Sequence, residues 1–592
     1  MSLTPTRVVE PHQLADHSVD LRMPLLALMA LVVGTGGAVG AWVLVKLIAI
    51  ATNLFWFGRL SADHSVITDS NVGLLVVVIP VIGSLLVGLM ARFGSDKIRG
   101  HGIPEAIETI LFGESRLSLK VALLKPLSSA ISIGSGGPFG AEGPIIMTGG
   151  AIGSLFAQCF HLSAAERKTL LVAGAAAGMT AIFGTPLAAI LLAVEVLLFE
   201  WKPRSFVPVV IATIVSLAWR RLFLGSGSMF PMTATVPDSG WSLLAAAGIG
   251  LLVGFEAMLL STSLYRIEDL FHKLPVHWMW WPAIGAIVVG LGGLIDADVL
   301  GAGYASIEAL LTGSLALKVV VALLAVKAVV WLVALGSGTS GGVLAPLLIL
   351  GGAAGFLIGQ FLPGDASFWA MIGMAGIMSG AMRAPMTGAL FAVELTGHFE
   401  AIPYTITAAG AAYAISVLLM RRSILTEKIA RRGRHILQEY TVDPLDLLQA
   451  AQLMTPHPQT LSGGLTIEQT LTFFTTQAEH RSYPVVDAGG RLIGLVSRTD
   501  ALRWQIDQSL AMTLLSDAIS DSTQPVAYPH TPSGVVADLI IETGIGRIPI
   551  VDRETRKVLG ILSRQDLLKA RSTNRLAETG RNRFVFRTNP AS

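Results

Sequence analysis

The stretch GSGGPFGAEGP, residues 134–144, lies inside a long apolar region. Most of its residues are small, and one of them is a glutamate, Glu142. Glycine and proline disfavour the interior of a helix, and an acid at the centre of a membrane costs about 2.5–3.5 kcal/mol on insertion scales. The stretch therefore indicates a break between two membrane helices, and Glu142 is a candidate functional residue.

The composition supports a membrane location for this stretch. The chain has 592 residues, of which 52% are hydrophobic and 14% are charged, whereas soluble proteins carry about a quarter charged residues. This composition indicates a polytopic membrane protein, and the net charge of +2 does not suggest a nucleic-acid partner. The single cysteine, Cys159, excludes an intrachain disulfide, and we expect it to be a packing residue.

Apolar segments recur from Met23 to Met420, and glycine or proline interrupts many of them. This pattern predicts broken or half-spanning helices, which membranes tolerate where irregular backbone is buried in protein or lines a cavity. A basic cluster follows the last segment, and by the positive-inside rule it predicts a cytoplasmic location for this end of the membrane region. The cluster comprises Arg421, Arg422, Lys428, Arg431, Arg432 and Arg434.

The changes in composition predict five regions. We expect a cytosolic N-terminal segment over 1–22, a membrane transport domain over 23–435, soluble domains over 446–508 and 514–571, and a basic flexible tail over 572–592. The N-terminus has no apolar core of signal-peptide type.

The membrane region contains an internal repeat. Residues 134–155 align without gaps to residues 336–357, with ten of 22 positions identical. A second pair, residues 185–197 and 384–396, aligns Glu195 with Glu394. The offsets, 202 and 199, nearly agree and indicate duplication. Paired glycine- and proline-interrupted segments in two halves indicate the binding site of a transporter.

The soluble region contains a second repeat. Residues 482–503 are similar to residues 547–569, and each copy predicts a strand, a turn, a strand and a helix. A Ser-Arg-X-Asp motif stands where each helix begins, with Asp500 in the first copy and Asp566 in the second. At this position each aspartate is a candidate helix N-cap.

Glycine-rich segments that open apolar helices suit anion binding. The first turn of a helix presents unpaired N–H groups and a partial positive charge, and several converging helix starts would bind an anion without a full charge. Three segments predict such starts, each with proline at an early helical position: GHGIP at 100–104, GAEGP at 140–144 and GVLAP at 342–346. At such a start the Glu142 carboxylate would occupy the anion's place and act as a gate, or it would only cap the helix.

At these residues the sequence resembles the CLC family of chloride channels and proton/chloride exchangers, with the paired CBS domains that many members carry. GHGIPE resembles the family's GSGIP element, GAEGP its GREGP element and GGVLAP its GxFAP element. The resemblance covers about residues 23–433. The similarity to CBS domains implies that Asp500 and Asp566 are nucleotide ligands, with the helix N-cap as an equal alternative. The resemblance as a whole implies an α-helical membrane protein of about eighteen helices in two inverted halves, an α+β CBS tail, a homodimer and one anion pathway per subunit. The anion-binding residues that it implies are Gly100, His101, Gly102, Ile103, Gly140, Ala141, Gly143, Val343, Leu344, Ala345 and Leu425.

The sequence departs from the family pattern at the central site. His101 replaces the anion-coordinating serine, a position that affects the preference between chloride and nitrate in the family. Ala141 replaces the arginine before the gating glutamate, Leu344 replaces a phenylalanine, and Leu425 replaces the pore tyrosine. His101 would tune selectivity, or it would face an aqueous vestibule and touch no ion.

The remaining acids bear on proton coupling. Exchangers of the family usually carry an internal proton glutamate at the position of Val196, which cannot titrate, although Glu195 is its neighbour. Glu394 is expected to make a structural hydrogen bond. These residues favour passive, channel-like anion flow gated by Glu142, and proton-coupled exchange is the alternative.

We therefore predict an integral protein of a bacterial inner membrane that transports chloride or a similar anion, with cytoplasmic CBS domains that bind an adenine nucleotide as a regulator. We expect no enzymatic activity, catalytic residue, metal or required cofactor, since the sequence contains no HExxH, GxSxG or P-loop motif. A CBS-bearing divalent-cation transporter is a more distant alternative. It would need several intramembrane carboxylates, where this chain offers backbone donors.

Overall fold

A computed structural model describes residues 22–70, 72–237, 240–434, 436, 445, 448–519 and 525–570. The described residues form two compact units, one up to residue 436 and the other from residue 445. The predicted N-terminal segment, apart from Arg22, and the predicted basic tail lie outside the described residues. The predicted domain boundaries stay predictions.

The first unit is helical throughout. Its seventeen described α-helices are α1 Met23–Phe57, α2 Leu75–Phe93, α3 Ile103–Phe112, α4 Leu119–Gly134, α5 Glu142–Gln158, α6 Ala164–Phe183, α7 Pro186–Leu192, α8 Pro203–Phe223, α9 Ser242–His272, α10 Trp281–Ile295, α11 Tyr304–Thr312, α12 Leu317–Gly336, α13 Leu344–Gly359, α14 Ala366–Met382, α15 Pro385–Thr396, α16 Ile402–Leu419 and α17 Thr426–Arg431. A π-helical segment, Ala193–Leu198, continues α7.

The helices repeat in order, so that α1–α8 correspond to α9–α16. Helices α4 and α12 end at the aligned residues Gly134 and Gly336, and α5 and α13 begin at the aligned residues Glu142 and Leu344. The helical fold in two halves, predicted from the repeat, is confirmed.

Reciprocal helix caps join the two halves. Glu195 accepts hydrogen bonds from the backbone N–H groups of Met386 and Thr387 at the start of α15, at 3.2 and 2.8 Å. Glu394 accepts hydrogen bonds from Leu187 and Ala188 at the start of α7, at 3.0 and 2.8 Å. Each acid satisfies donors of the other half that have no partner within their own helix. The structural hydrogen bond predicted for Glu394 is present.

The unit contains both long and short helices, as the interruptions in the sequence predict. Seven described helical segments are long and apolar enough to cross a membrane. Others, such as α3 with ten residues, are too short to span a bilayer. Helices α3, α5 and α13 all begin in the interior of the protein, at buried residues. The expected packing role of Cys159 is wrong, because this residue directly follows α5 and is exposed.

The second unit consists of the two similar repeats. The first contains helix α19 Ile467–Thr476, a three-stranded sheet, and helix α20 Arg498–Ile506. In this sheet β2 Leu461–Ser462 runs parallel to β3 Ser482–Val486, and β4 Leu492–Ser497 is antiparallel to β3. The second repeat contains α22 Ser533–Thr543, the antiparallel strands β5 Arg547–Val551 and β6 Val558–Ser563, and a helix over 564–570.

Three further short elements belong to the unit. Strand β1 Thr455–Pro456 pairs with β6, and helices α18 Ala450–Leu453 and α21 Leu515–Ile519 flank the first repeat. The predicted order of strand, turn, strand and helix is present in both copies. In the β5–β6 turn, the pKa of Asp552 is lowered because the backbone N–H and hydroxyl of Thr555 donate to its carboxylate.

Candidate functional site: converging helix starts

The three predicted helix starts meet in the interior of the membrane unit. The loop before α13 pairs with the loop before α3, because the Gly100 N–H donates to the Thr339 carbonyl at 3.2 Å. It also pairs with the loop before α5, because the Gly342 N–H donates to the Gly140 carbonyl at 3.0 Å. Short segments far apart in the sequence therefore place three positive helix ends around one point.

Glycine permits this close approach. A Cβ atom on Gly143 would collide with the His101 carbonyl, and one on Gly102 would lie 3.0 Å from the Gly143 carbonyl. Gly102 also has a φ of +86°, which side chains rarely adopt. Larger residues at these positions would separate the start of α3 from the start of α5.

Glu142 occupies the centre of this arrangement. Its side chain is fully buried and begins α5, so that it lies at the positive end of its own helix. A Cβ atom on Gly342 would lie 2.7 Å from Oε2 of Glu142, which places the carboxylate over the Gly140–Gly342 pair. The backbone N–H groups of Glu142 itself and of Ala345 interact with it, but neither oxygen has a well-formed hydrogen bond among the described residues. The acid is held by helix ends and not by a cation.

All the predicted anion-binding residues are buried, and ten of them lie in the three converging segments. These ten are Gly100, His101, Gly102, Ile103, Gly140, Ala141, Gly143, Val343, Leu344 and Ala345. The eleventh, Leu425, precedes α17, packs in the apolar core and offers no polar group. The hydroxyl of Tyr265 donates to the carbonyl of the neighbouring residue, Ile424, at 2.5 Å.

His101 is 3% exposed, and both ring nitrogens lack a hydrogen-bond partner among the described residues. The residue also lines a cavity of about 500 Å³. An imidazole has a donor or an acceptor at each nitrogen, so a ring without protein partners is available to a ligand. This geometry accommodates both roles predicted for His101, the selectivity residue and the vestibule residue.

Lys125 is a residue of the site that the sequence analysis missed. Its buried ammonium donates to the carbonyls of Ile98 and Gly100, at 2.8 and 2.7 Å, and to Oγ of Ser340 at 3.0 Å. It thus ties the loop before α3 to the loop before α13 and places a positive charge directly behind Gly100. Its alignment with another intramembrane lysine, Lys327, is the signal that could have revealed it.

Tyr304 was also missed. It begins α11, the counterpart of α3 in the second half, and its hydroxyl accepts a hydrogen bond from the Ala141 N–H at 3.4 Å. The tyrosine therefore contacts the residue directly before Glu142. The correspondence between α3 and α11 becomes visible when the repeat is extended toward the N-terminus of each half.

The two candidate proton-route positions have different surroundings. Val196 is buried and apolar. Glu195 is committed to the α15 cap described above, with a further hydrogen bond of 2.6 Å from the Thr387 hydroxyl. Its carboxylate therefore serves as a helix cap.

The CBS acids are neither isolated nor N-caps. Asp500 accepts hydrogen bonds from the backbone N–H and hydroxyl of Ser497, at 2.9 and 2.6 Å, and Asp566 does the same with Ser563. The N-cap of α20 is Ser497, and Asp500 is its capping-box partner three residues later. Within the described residues these contacts use one oxygen of each carboxylate. The second oxygen fits an acceptor for a ribose hydroxyl.

Comparison with known proteins agrees with this geometry. The sequence profile of the voltage gated chloride channel family matches residues 82–417, and that of the CBS domain matches residues 450–507 and 518–573. The chain belongs to the CLC family. The voltage-gated ClC-type chloride channel ClcB of Escherichia coli O81 is 30% identical over 367 residues, which cover 60% of this chain and 87% of that protein. A protein of Ralstonia nicotianae, named for its likeness to the chloride channel protein ClcB, is 27% identical over 60% of this chain and 82% of its own length.

Solved CLC structures share the fold. A slow cyanobacterial Cl⁻/H⁺ antiporter matches with a TM-score of 0.62 and 20% identity, over 70% of this chain and 99% of that one. A eukaryotic CLC transporter matches with a TM-score of 0.59 and 20% identity, over 92% of this chain and 98% of that one. A CLC-type fluoride/proton antiporter gives a TM-score of 0.59. At these identities the comparison shows the CLC fold and leaves coupling open.

Proposed function

We propose that this chain transports chloride or a similar monovalent anion through the point where α3, α5 and α13 begin. The observation that carries the proposal is the burial of Glu142 among these three helix starts. Backbone N–H groups and helix ends attract an anion without the full charge that would hold it too tightly for transport. The cation behind them, Lys125, is turned toward carbonyl groups.

Glu142 is the proposed gate. Its carboxylate lies over Gly140 and Gly342 and thus occupies the place where the helix starts favour negative charge. An anion and an ionised carboxylate repel each other there. Protonation or displacement of Glu142 would therefore open the site to the transported anion.

We favour passive flow over coupled exchange. A proton route from the side of α7 to Glu142 needs a titratable group or water, and Val196 supplies neither. Its neighbour, Glu195, is engaged by the α15 N-terminus. Coupled exchange is the second candidate, because solved antiporters share this fold.

Proton flux measured together with chloride flux tests both candidates. The purified full chain is placed in liposomes with a chloride gradient and no pH gradient. Passive flow predicts chloride movement without uphill proton movement. Sustained proton pumping at a fixed ratio to chloride would establish exchange, and the absence of any anion flux would overturn the proposal as a whole.

The proposed setting is a homodimer in a bacterial inner membrane, without enzymatic activity. The basic cluster after α16 supports a cytoplasmic location for the CBS pair. Within the described residues, the second carboxylate oxygens of Asp500 and Asp566 accept no hydrogen bond, and this supports an adenine nucleotide as the ligand of the CBS pair. A chain truncated near Gly433 is expected to transport and to lose any nucleotide response. A folded, dimeric truncation without flux would contradict this role of the tail.

A further inference from the structure

The cavity that reaches His101 contains several charged side chains. It is lined by Gly100 and His101 at its inner end, by residues of α9, and by residues of α17 and the segment after it. An anion that leaves or enters the proposed site on this side must pass through it. The charges on its wall therefore set the local anion concentration.

Most of its cations are already compensated by acids. The Nζ of Lys428 lies 2.8 Å from Oε1 of Glu105, and Nη2 of Arg432 lies 3.2 Å from the same oxygen. Arg431 pairs with Asp269 and with Glu427. The positive charges of these three side chains are therefore neutralised by protein carboxylates.

Arg99 differs from the other cations of the cavity. Among the described residues it forms neither an ion pair within 4.0 Å nor a hydrogen bond, and its buried Nε has no partner. Asp96 and Glu268 line the same cavity and attract the guanidinium at longer range. Their negative charges partly offset the positive potential at Arg99 without occupying its N–H groups.

The guanidinium is held in place by aromatic rings. Its central carbon lies 4.5 Å from the ring centre of Trp278 and 5.8 Å from that of Trp281. A Cβ atom on Gly338 would lie 2.6 Å from Nη2, so this glycine leaves the space that the group occupies. Stacking fixes the plane of an arginine while its N–H fork stays available to a ligand.

We propose that Arg99 binds a monovalent anion in this cavity, one residue before the backbone of the main site. The fork can donate two N–H groups to chloride or to a planar oxyanion such as nitrate. This inference deepens the proposed function, since it rests on anion transport through the same pathway. It assigns a side-chain site to a pathway that otherwise relies on backbone donors.

Sided transport by the full chain tests the site. In planar bilayers, chloride is varied separately on each face while flux is recorded. On the face that carries residues 421–434, Arg99→Gln is expected to raise the half-saturating chloride concentration by roughly fivefold or more, since a charge-assisted contact is lost. Arg99→Lys keeps the charge but loses the planar fork, and it is expected to raise the half-saturating concentration less than Arg99→Gln does. Glu268→Gln removes an opposing charge and is expected to lower the half-saturating concentration.

Lys97→Gln is the matched control, because Lys97 is exposed in the same turn and does not line the cavity. Equal effects of Lys97→Gln and Arg99→Gln would overturn the site, and so would equal losses in Arg99→Gln and Arg99→Lys. The second result would mean that the arginine only packs on the tryptophans.

Bromide in crystals gives a readout that does not depend on transport. An anomalous peak beside Arg99 in the native chain, absent from Arg99→Gln crystals, supports the site even if no flux is found and the proposed function fails. Native flux with no peak beside Arg99 would overturn the site and leave the proposed function intact.

Discussion

Each half of the membrane unit contains a buried lysine and a glutamate that caps a helix of the other half. Lys125 donates to the carbonyls of Ile98 and Gly100, and Lys327 donates to the corresponding carbonyls of Val299 and Gly301 at 2.8 and 3.2 Å. Glu195 caps the start of α15, and Glu394 caps the start of α7 in the same way. Features present in both copies hold together a frame with two-fold symmetry.

Two buried polar side chains of the first half have apolar counterparts in the second half. Glu142 of the first half corresponds to Leu344 of the second, and His101 corresponds to Ala302. Both polar residues are buried and lack well-formed side-chain hydrogen bonds among the described residues. A buried polar group without a partner is unfavourable for folding, so the comparison assigns the shared residues to the frame and these two to transport.

The largest expected effect comes from removing the acid that the second half lacks. Glu142→Gln keeps the size of the side chain and cannot ionise. Above its pKa the protonated fraction of a carboxyl falls about tenfold per pH unit, so native flux should rise as the pH falls. In the variant, flux should stay constant within about twofold between pH 5 and pH 8. Flux measured in liposomes over this pH range checks the prediction.

Glu394→Gln is the control for this experiment, since it makes the same change in a buried acid of the frame. It should retain the native pH profile. A native profile in Glu142→Gln would show that another group is the gate.

The paired lysines are expected to have equal effects on stability and unequal effects on transport. Lys125→Met and Lys327→Met each leave two buried carbonyls without a donor, at a cost of about 1–3 kcal/mol. Both should therefore melt at lower temperature in detergent. Only Lys125→Met should also weaken anion binding, because Lys125 stands behind Gly100 and Ser340. Equal loss of anion affinity in the two variants would contradict the assignment.

A smaller change is expected at His101. In His101→Ser, a hydroxyl replaces an imidazole at the start of α3, and the nitrate-to-chloride permeability ratio should change by roughly threefold, as expected for a difference of one hydrogen bond. Ala302→Ser introduces the same hydroxyl in the other half and should leave the ratio unchanged. Bi-ionic potentials measure both ratios. An unchanged ratio in His101→Ser would favour the vestibule role.

The glycine- and proline-rich segments were enough to predict the half-spanning helices and the three helix starts, because these features are local. The partners of Lys125 and Glu195 were not predictable in this way. Ser340 and Thr387 stand far away in the sequence, and only the packing of the halves brings them close. Cys159 was misjudged for the same reason, since burial at a helix end depends on the neighbouring elements.

The smallest expected effect concerns the reciprocal caps. Glu195→Gln and Glu394→Gln each keep one carbonyl acceptor and lose the charge that faces a helix N-terminus, at a cost of about 1 kcal/mol. If Glu195 only caps α15, the two variants should lower the melting temperature by similar amounts. Proton and chloride fluxes should stay at their native values in both. Val196 cannot relay a proton in its place. A change of proton flux in Glu195→Gln alone would break the symmetry between the caps and would assign Glu195 to a proton route, in favour of coupled exchange.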